Sequence, residues 1–396
     1  MTRVVVVGAG MVGAACAYYA ARAGLDVLVL DRGPVGSGTT SRGEGNILVS
    51  DKAPGPELDL ALLSLRLWRE LGDEVGAAAL ELEHKGGLVV ATGEAALASL
   101  HDFAEAQAGS GVDVERVQPS RLRDLEPHLA PDLPGGVRYA QDQQVMPVLA
   151  AAALLQAARR LGAQVRTGVE VTGVELDDAG AVKAVVSSSG RHPASAVVNA
   201  AGTWGGTVAT RFGAPIPVLP RRGFVLVTEP LPRVVRHKVY SADYVANVAS
   251  SDAALETSVV VEGTRAGTVL IGASRERVGF DETLSVEVVR RLSTQAVRLF
   301  PMLATINLMR VYRGFRPYCP DHLPVIGADS RVPGVFHACG HEGAGIGLAP
   351  ATGFVVAQQI RQQHGEATHG DVVPFDLTPF DANRFSVTDA GTGGAA

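Results

Sequence analysis

Residues 3–31 read RVVVVGAGMVGAACAYYAARAGLDVLVLD, where a β-branched run, a glycine turn and an alanine-rich segment follow one another. The run over 4–7 is continuous and apolar, which is typical of a strand buried on both faces. The segment after the glycines predicts a helix to Ala23, and 27–30 predicts a second strand that ends at Asp31. The pattern therefore predicts a strand–helix–strand unit with an acidic residue at its end.

The glycines of this unit have the spacing G-x-G-x-x-G at Gly8, Gly10 and Gly13. In such a turn the first glycine permits the tight bend, the second lets the backbone approach a pyrophosphate, and the third allows close packing of helix and strand. The helix N-terminus offers amide groups to phosphates. Asp31 is placed to bind an adenosine ribose, and its charge disfavours NADP. The stretch predicts a bound dinucleotide and leaves NAD or FAD open.

Length and composition predict two or three domains around a large core. The chain has 396 residues, of which 46% are hydrophobic and 19% charged, and its net charge is −6. A negative net charge gives no electrostatic reason to expect nucleic acid or an anionic membrane as partner.

The cysteines and the apolar runs bear on cellular location. Cys16, Cys319 and Cys339 form no C-x-x-C pair, which suits a reducing cytoplasm and excludes an iron–sulfur cluster ligated by cysteines of this chain. Glycines interrupt the N-terminal apolar run, so we expect no signal peptide. No stretch reaches eighteen uninterrupted apolar residues, so we expect no spanning helix. The predicted location is the cytoplasm.

Periodicity predicts the remaining elements. Helices are expected over 58–75, 95–108, 119–125, 147–162, 285–299 and 349–363. Strands are expected over 86–92, 164–171, 182–187, 195–201, 224–228, 258–262, 269–273, 309–314 and 335–338. The Pro- and Gly-rich residues 127–136 are interpreted as a connector, and the tail 388–396 as disordered.

Three polar or glycine-rich segments lie where a ligand would be expected. Residues 36–46 form a long polar loop after the second strand, whose alternatives are a functional loop and a flexible surface loop. A second glycine turn follows a strand at 199–204, and a third, 340–347, opens a helix. Parallel strands deliver such turns to one edge of the sheet, where anions bind.

Five motifs in order resemble the D-amino-acid oxidase superfamily of flavoproteins, in the branch of glycine oxidase and sarcosine oxidase. They are the fingerprint at 8–13, the loop 36–46, the turn 199–204, the run Gly314-Phe315-Arg316-Pro317 followed by 321–327, and Gly340-His341 followed by 349–353. Residues 340–343 look more like the flavin subunits of opine oxidase and D-hydroxyproline dehydrogenase.

The resemblance implies FAD, bound non-covalently, and so favours FAD over NAD. It implies an α/β plus α+β fold, in which a Rossmann-type, glutathione-reductase-like FAD-binding domain is interleaved with an antiparallel-sheet substrate domain. The predicted boundaries are 1–84, 142–217 and 324–387 for the FAD-binding domain, and 85–141 and 218–323 for the substrate domain.

The fingerprint and the resemblance together predict the residues that contact the cofactor. They are Gly8, Gly10, Met11, Val12, Gly13, Asp31, Arg32, Thr39, Thr40, Ser41, Gly45, Asn46, Val171, Ala201, Gly202, Trp204, Gly340, His341, Gly343, Ala344, Gly345 and Ile346.

Arg316 and His341 are the predicted catalytic residues. The arginine of the G-x-R-P motif binds the substrate carboxylate in the family, and a guanidinium suits a carboxylate bidentately. The predicted strand 309–314 places Arg316 just beyond a strand end, and its alternative role is a structural salt bridge. His341 is interpreted as a contact to substrate or flavin, or as a packed histidine.

We expect no metal, because His337 and His341 lie out of register across a strand and turn.

Three tyrosines, Tyr240, Tyr244 and Tyr318, are candidates for lining the substrate pocket, with ordinary packing as the alternative. At two positions this chain differs from the family, and these differences limit which activities of the family can be assigned to it. Sarcosine oxidases have a lysine over the flavin where this chain has Leu270, which favours a dehydrogenase. Glycine oxidase has a carboxylate-binding tyrosine where this chain has Val260, so the pocket differs.

The sequence therefore predicts an FAD-dependent oxidation of the Cα–N bond of a small amino acid or N-substituted amino acid, with O2 or another electron acceptor. Hydride passes to flavin N5 and the imine hydrolyses. One alternative is the flavin subunit of a multi-subunit opine or D-hydroxyproline dehydrogenase. Another is a flavin-binding module without amine chemistry. The oligomeric state is left open between a homo-oligomer and a hetero-oligomer with an electron-transfer subunit.

Overall fold

The computed structural model describes residues 2–242, 254–365 and 373–385. The strands in these residues are β1 (Arg3–Val7), β2 (Asp26–Asp31), β3 (Asn46–Ile47), β4 (Gly87–Val90), β5 (Val114–Val117), β6 (Gly136–Tyr139), β7 (Gln143–Gln144), β8 (Gln164–Thr167), β9 (Val171–Leu176), β10 (Val182–Ser187), β11 (Gly190–Pro193), β12 (Ala196–Asn199), β13 (Leu219–Thr228), β14 (Lys238–Ser241), β15 (Glu256–Gly263), β16 (Val269–Arg275), β17 (Leu308–Tyr318), β18 (Val325–Ala328) and β19 (Val335–Cys339).

The α-helices in the same residues are α1 (Met11–Arg22), α2 (Pro56–Leu71), α3 (Ala77–Leu80), α4 (Glu94–Ala108), α5 (Pro119–Leu125), α6 (Pro147–Arg160), α7 (Gly205–Arg211), α8 (Val286–Leu299) and α9 (Gly345–Gln363).

The N-terminal strand–helix–strand unit forms as predicted. β1 pairs in parallel with β2 on one side and with β12 on the other. Val4 and Val6 pack on the side of α1, whereas Val5 and Val7 pack in a second core cluster on the opposite face. The β-branched run is therefore buried on both faces, which is why it carries no polar alternation.

This unit is the centre of a six-stranded sheet with the order β18-β19-β12-β1-β2-β8. Its strands are parallel, apart from β18, which is antiparallel to β19. The helices α1, α6 and α9 pack together over one face, while the three-stranded antiparallel sheet β11-β10-β9 and α7 cover the other. The carboxyl ends of the five parallel strands therefore lie along one edge, the position where such sheets bind ligands.

Two glycines of the fingerprint are required by close contacts. Gly8 has a φ of +115°, and a Cβ at this position would lie 2.4 Å from the carbonyl oxygen of Ala200. A Cβ on Gly13 would lie 2.0 Å from the carbonyl oxygen of Gly8, so α1 approaches the end of β1 more closely than any side chain permits. The predicted tight turn and close helix packing are confirmed by these contacts.

The second large sheet has eight strands in the order β17-β13-β16-β15-β14-β4-β6-β5. Its neighbours are antiparallel except for β14 and β4. One face packs against α8, where Leu226 and Ile271 join Val288 and Leu292 in one core. Residues of the other face, among them Val260, join the core beneath the helices of the six-stranded sheet. The mixed fold with a parallel sheet and antiparallel sheets is confirmed.

Several predicted element boundaries are wrong, each for a local reason. The strand predicted over 164–171 is two strands, because Gly168 has a φ of +73° and breaks the run. The helix predicted to reach residue 75 ends at Leu71 and continues as a π-turn over Gly72–Gly76. The connector predicted over 127–136 gives way to β6 at Gly136.

The strand that carries Arg316 is longer than predicted. We expected it over 309–314, whereas β17 extends to Tyr318 and pairs with β13 throughout, with Arg221 opposite Arg316. β17 is an edge strand of the sheet, where a proline is tolerated, so Pro317 does not end it. Arg316 therefore lies within a strand and not beyond its end.

Helix α9 begins at Gly345, four residues before the predicted start at 349, and contains Pro350. A proline inside a helix lacks an amide and disturbs the preceding carbonyls. Here α2 supplies the missing partners. Ser64 donates to the carbonyl oxygen of Gly347 at 2.6 Å and accepts from the amide of Ala351 at 3.3 Å, and Trp68 Nε1 donates to the same carbonyl at 3.0 Å.

We expect Ser64→Ala to lower the free energy of unfolding by about 1–2 kcal/mol, because a buried amide and a buried carbonyl lose a partner. Urea-induced unfolding checks this value. Ser195→Ala is the control, since the Ser195 hydroxyl makes only a long bond of 3.4 Å to Arg3. Equal midpoints for Ser64→Ala and the wild type would mean that Trp68 suffices for the carbonyl of Gly347 and that the amide of Ala351 does not depend on Ser64.

The strands of the six-stranded sheet come from 3–31, 164–167, 196–199 and 325–339, and those of the eight-stranded sheet from 87–139 and 219–318. The division into two domains at the boundaries given above stays a prediction. Among the described residues, no helix combines the length and the apolarity needed to cross a membrane.

Candidate active site

A cavity lies between the glycine turn after β1 and the eight-stranded sheet. It begins at the carboxyl ends of β1, β2, β12 and β19 and reaches the strands β13 and β17. The predicted residues that line it are Gly8, Gly10, Met11, Val12, Asp31, Arg32, Thr39, Thr40, Asn46, Val171, Ala201, Gly202, Trp204, Arg316, His341, Gly343, Gly345 and Ile346. Residues from all five motifs of the sequence therefore meet in one cavity.

Asp31 is held in place by two backbone amides at the end of the cavity beside β2. Its carboxylate accepts from Ala9 at 2.6 Å and from Gly33 at 2.7 Å. The Arg32 guanidinium lies 4.1 Å from the ring centroid of Trp204, a cation–π contact across the same region. This end of the cavity combines a fixed carboxylate with a polar and aromatic wall, which suits a ribose and its base.

The polar loop after β2 is ordered by contacts to other elements. Thr40 Oγ1 accepts from the amide of Met11 at 2.9 Å, so the loop caps the first amide of α1. Thr39 and Thr203 both donate to the carbonyl oxygen of Phe315, at 2.7 and 2.6 Å. The loop is therefore bonded both to the glycine turn and to β17. This favours a functional loop over a flexible surface loop.

Arg316 lies on the cavity face of β17, against glycines of two other elements. Its Nη1 donates to the carbonyl oxygen of Ser274 at 2.8 Å. A Cβ on Gly223 would lie 2.1 Å from Nη1, and one on Gly343 would lie 3.6 Å from Nε. The guanidinium occupies space that a side chain on β13 would fill, so the sheet is shaped around it.

His341 is buried at the cavity wall, and its Nε2 lies 2.9 Å from Thr352 Oγ1. Burial lowers the pKa of His341 to about 3. The imidazole is therefore neutral at physiological pH and does not act there as an acid. Its predicted contact to flavin or substrate stays a prediction.

We expect His341→Gln to reduce the acid sensitivity of the fold. The unfolded chain binds a proton at His341 below pH 6.5, whereas the folded protein does not until about pH 3. Stability is therefore lost as the pH falls below 6.5, by about 2 kcal/mol at pH 5. Unfolding free energies of the holoenzyme at pH 7 and 5 measure the effect. An equal loss in the wild type and in His341→Gln would contradict the assignment.

Five predicted cofactor residues do not line the cavity: Gly13, Ser41, Gly45, Gly340 and Ala344. Their contacts place them behind its wall. The Ser41 hydroxyl donates to the carbonyl oxygens of Ser37 and Gly38, each at 3.3 Å. A Cβ on Gly45 would lie 1.8 Å from the carbonyl oxygen of Val145, and one on Gly340 would lie 2.4 Å from Cys319 Sγ. These residues support the turns whose other residues line the cavity.

The structure does not place the predicted substrate tyrosines at the cavity. Tyr240 is fully buried and donates to Ser50, which itself donates to Asp142. The ring of Tyr318 lies beneath the guanidinium groups of Arg221 and Arg277. Both side chains are buried, and neither lines the cavity. These positions favour the alternative interpretation of ordinary packing, and the role of the tyrosines at the substrate stays a prediction. Tyr244 lies outside the described residues.

The cavity also contains polar and small residues that were not predicted to contact the cofactor or the substrate. They are Arg42, Glu44, Glu170, Thr207, Arg211, Gly223, Gly314, Cys339 and Glu342. Glu44 lies within the polar loop already singled out, so a signal existed for it. Gly223 and Arg211 belong to no motif, and only the pairing of distant segments brings them to the site.

Three largely buried ion pairs lie on the arginine side of the cavity. Arg221 pairs with Glu342 and, at 3.1 Å, with Glu256. Lys238 donates to Glu262, and both side chains are buried. These charges are paired within the protein, as burial requires.

His337 and His341 bind different partners, Asp329 and Thr352. Across residues 2–242, 254–365 and 373–385, no three His, Cys, Asp or Glu side chains are grouped as metal ligands.

A parallel sheet with a glycine turn, an acidic residue at the end of β2 and a cavity that reaches an antiparallel sheet form the arrangement expected of a flavin-dependent oxidoreductase. Residues 3–359 match the model of the DAO family, described as FAD dependent oxidoreductase, and the chain belongs to this family.

Two relatives and one solved structure illustrate the similarity. The chain is 30% identical to glycine oxidase of Geobacillus kaustophilus over 367 residues, covering 91% of this chain and 93% of that protein. It is 31% identical to hydrogen cyanide synthase subunit HcnC of Pseudomonas protegens over 252 residues, covering 63% of this chain and 57% of that one. The crystal structure of the Geobacillus glycine oxidase superposes with a TM-score of 0.84 at 27% identity, covering 98% and 100% of the two chains.

The residues present fit FAD. Asn46 lines the cavity, and its Oδ1 is buried without a hydrogen-bond partner among the described residues, so it can accept from a ring N–H. The fixed Asp31 carboxylate suits the ribose, and the glycine turn leaves room for the pyrophosphate. FAD is therefore the cofactor of this chain, as the family and the sequence both indicate.

Proposed function

We propose that this FAD-dependent oxidoreductase oxidises the Cα–N bond of a small amino acid or N-substituted amino acid. The observation that carries the proposal is Arg316, a guanidinium on the cavity face of β17 in the same cavity as the FAD-binding turns. A guanidinium in a partly buried site selects a carboxylate with charge-assisted hydrogen bonds. The similarity to glycine oxidase supports the same substrate class.

Arg316 orients the substrate so that its Cα faces the cofactor, and this positioning supplies much of the rate enhancement. Bound FAD would supply the two-electron acceptor for the hydride of Cα, and water would hydrolyse the resulting imine. The backbone of Gly343, next to Arg316, and the N-terminus of α9 bring amide groups and a positive helix dipole to the same region.

FAD is held without a covalent bond in this proposal. Cys339 is the cysteine that lines the cavity, and burial raises its pKa to about 12, so the thiol stays protonated and unreactive. Acid precipitation of the purified protein tests this: the flavin is expected in the supernatant.

A second candidate is the flavin subunit of a multi-subunit opine or D-hydroxyproline dehydrogenase. The similarity to a hydrogen cyanide synthase subunit favours it, because that relative is named as one subunit of a larger enzyme. Such a subunit passes its electrons to a partner chain rather than to O2. Purification under native conditions separates the two candidates, since a stoichiometric partner with cysteine-rich motifs is expected only for the second.

An anaerobic titration tests the proposal directly. The yellow protein is mixed with D-, L- and N-methyl amino acids, hydroxyprolines and opines while the flavin absorbance is followed, and air is then admitted. Bleaching by one class identifies the substrate, and rapid recolouring in air indicates an oxidase. If dithionite reduces the flavin but no member of the panel does, the proposed function is overturned, and a flavin-binding module without amine chemistry is favoured.

A further inference from the structure

Glu44 is a buried carboxyl group at the cavity wall with unused hydrogen-bonding capacity. It lines the cavity, and its Oε1 is buried without a hydrogen-bond partner among the described residues. In the same residues, no Lys, Arg or His nitrogen forms an ion pair with it. A buried carboxylate without a partner is costly, so its retention at a binding cavity calls for a ligand group that donates to it.

The surroundings of Glu44 explain its protonation. Burial and the carboxylate of Glu262 raise the pKa of Glu44 to about 7, while the positive charges of Lys238, Arg316 and Arg275 oppose this rise. Lys238 already donates to Glu262, so its charge is largely compensated. At neutral pH Glu44 therefore exchanges a proton readily, which is the property of an efficient proton acceptor.

Glu44 and Arg316 lie against the same strand, two residues apart. A Cβ on Gly272 would lie 2.8 Å from Glu44 Oε1, and Arg316 Nη1 donates to the carbonyl oxygen of Ser274. Both groups also line the same cavity. A single small molecule that carries an amine and a carboxylate can therefore contact the acidic group with one end and the cationic group with the other.

We propose that Glu44 binds the amine nitrogen of the substrate and accepts one proton from it, while Arg316 binds the carboxylate. This assignment rests on the proposed function and specifies its substrate as a zwitterion with at least one N–H. The substrate ammonium loses one proton to the Glu44 carboxylate, which becomes a neutral carboxylic acid. The nitrogen lone pair thus freed supports departure of hydride from Cα to FAD and forms the C=N bond of the imine.

The test compares the wild-type holoenzyme with Glu44→Gln, using the amino acid that bleaches the wild-type flavin fastest. We expect Glu44→Gln to raise the Kd of this amino acid about tenfold and to slow flavin reduction about a hundredfold. Acetate, which has no amine, is measured as a competitive inhibitor and should bind both proteins equally. In the wild type the reduction rate should rise with pH through the region of pH 7, where Glu44 ionises, and this rise should be absent from Glu44→Gln.

Glu57→Gln is the matched control, because burial also raises the pKa of Glu57 but this residue does not line the cavity. It should keep the wild-type pH profile. If Glu44→Gln fails to retain FAD, Glu44→Asp preserves the carboxylate and should retain part of the pH-dependent rate.

The outcomes distinguish this assignment from the proposed function. If the amino acid bleaches the wild type and Glu44→Gln with the same rate, Kd and pH profile, the assignment of Glu44 is overturned but the proposed function is not. Equal weakening of acetate and of the amino acid also overturns it, because Glu44 would then act on Arg316 or the fold. A wild-type flavin that dithionite reduces but no amine reduces overturns the proposed function, and the assignment falls with it.

Discussion

Arg316→Leu lowers kcat/KM for the amino-acid substrate by at least about tenfold and raises KM, because the carboxylate loses its charge-assisted hydrogen bonds. Each such bond contributes about 1.5–3 kcal/mol in a protected site, and a bidentate pair contributes more. Leucine leaves the buried carbonyl of Ser274 without its donor, an additional cost of about 1–3 kcal/mol to the sheet. Steady-state kinetics with flavin content and melting temperature measured on the same preparation separate the two effects.

Arg313→Leu is the matched control, because Arg313 lies on the same strand but does not line the cavity and pairs with Glu282 at 2.8 Å. An exposed pair of this kind contributes little, so the control should keep the wild-type kcat/KM. Arg316→Lys should recover only part of the loss, since an ammonium cannot bind both oxygens of a carboxylate in a fork. Unchanged kinetics in Arg316→Leu would show that Arg316 has only a structural role.

Gly13→Ala is expected to raise the Kd for FAD at least about tenfold and to destabilise the protein by about 1–3 kcal/mol. The added methyl group would lie 2.0 Å from the carbonyl oxygen of Gly8, which is backbone and cannot rotate away. The N-terminus of α1 must therefore move off the end of β1. That movement displaces the amides and the helix dipole that bind the pyrophosphate.

Gly24→Ala is the control at the other end of α1. A Cβ there meets nothing within 4 Å, although its φ of +83° is strained for alanine. It should cost about 1 kcal/mol and leave FAD binding intact. Flavin fluorescence titration of the apoprotein gives the Kd values, and chemical denaturation gives the stabilities. If Gly13→Ala retains flavin as tightly as Gly24→Ala, the close helix approach is not needed for the cofactor.

The strand–helix–strand unit and the binding loops could be predicted because their signals are local. A β-branched run, three spaced glycines and a terminal acid specify β1, α1 and β2 through neighbours in the chain. The same is true of the polar loop at 36–46, which lines the cavity as a functional loop should. The predicted strand end at 314 and helix start at 349 were wrong, because Pro317 and Pro350 are accommodated inside their elements.

The substrate side of the cavity could not be predicted in the same way. Tyr240 is a predicted candidate for lining the substrate pocket. The register of β14 instead directs its side chain to Ser50 in the core. A one-residue difference in strand register exchanges the two faces of a sheet, and sequence alone does not fix that register. For the same reason the sequence does not predict that Glu44 lies against Gly272 of β16.

Short-range patterning was enough to predict the dinucleotide-binding unit, because glycine spacing and strand burial act over a few residues. The resemblance carried by five motifs along the chain added the family, FAD and the candidate Arg316. The arrangement of Arg316, Gly223, Ser274, Gly272 and Glu44 depended on the folded chain. These residues come from three strands and a loop that are far apart in sequence, and only the hydrogen-bonded register of β13, β16 and β17 brings the Glu44 carboxyl and the Arg316 guanidinium to the same cavity.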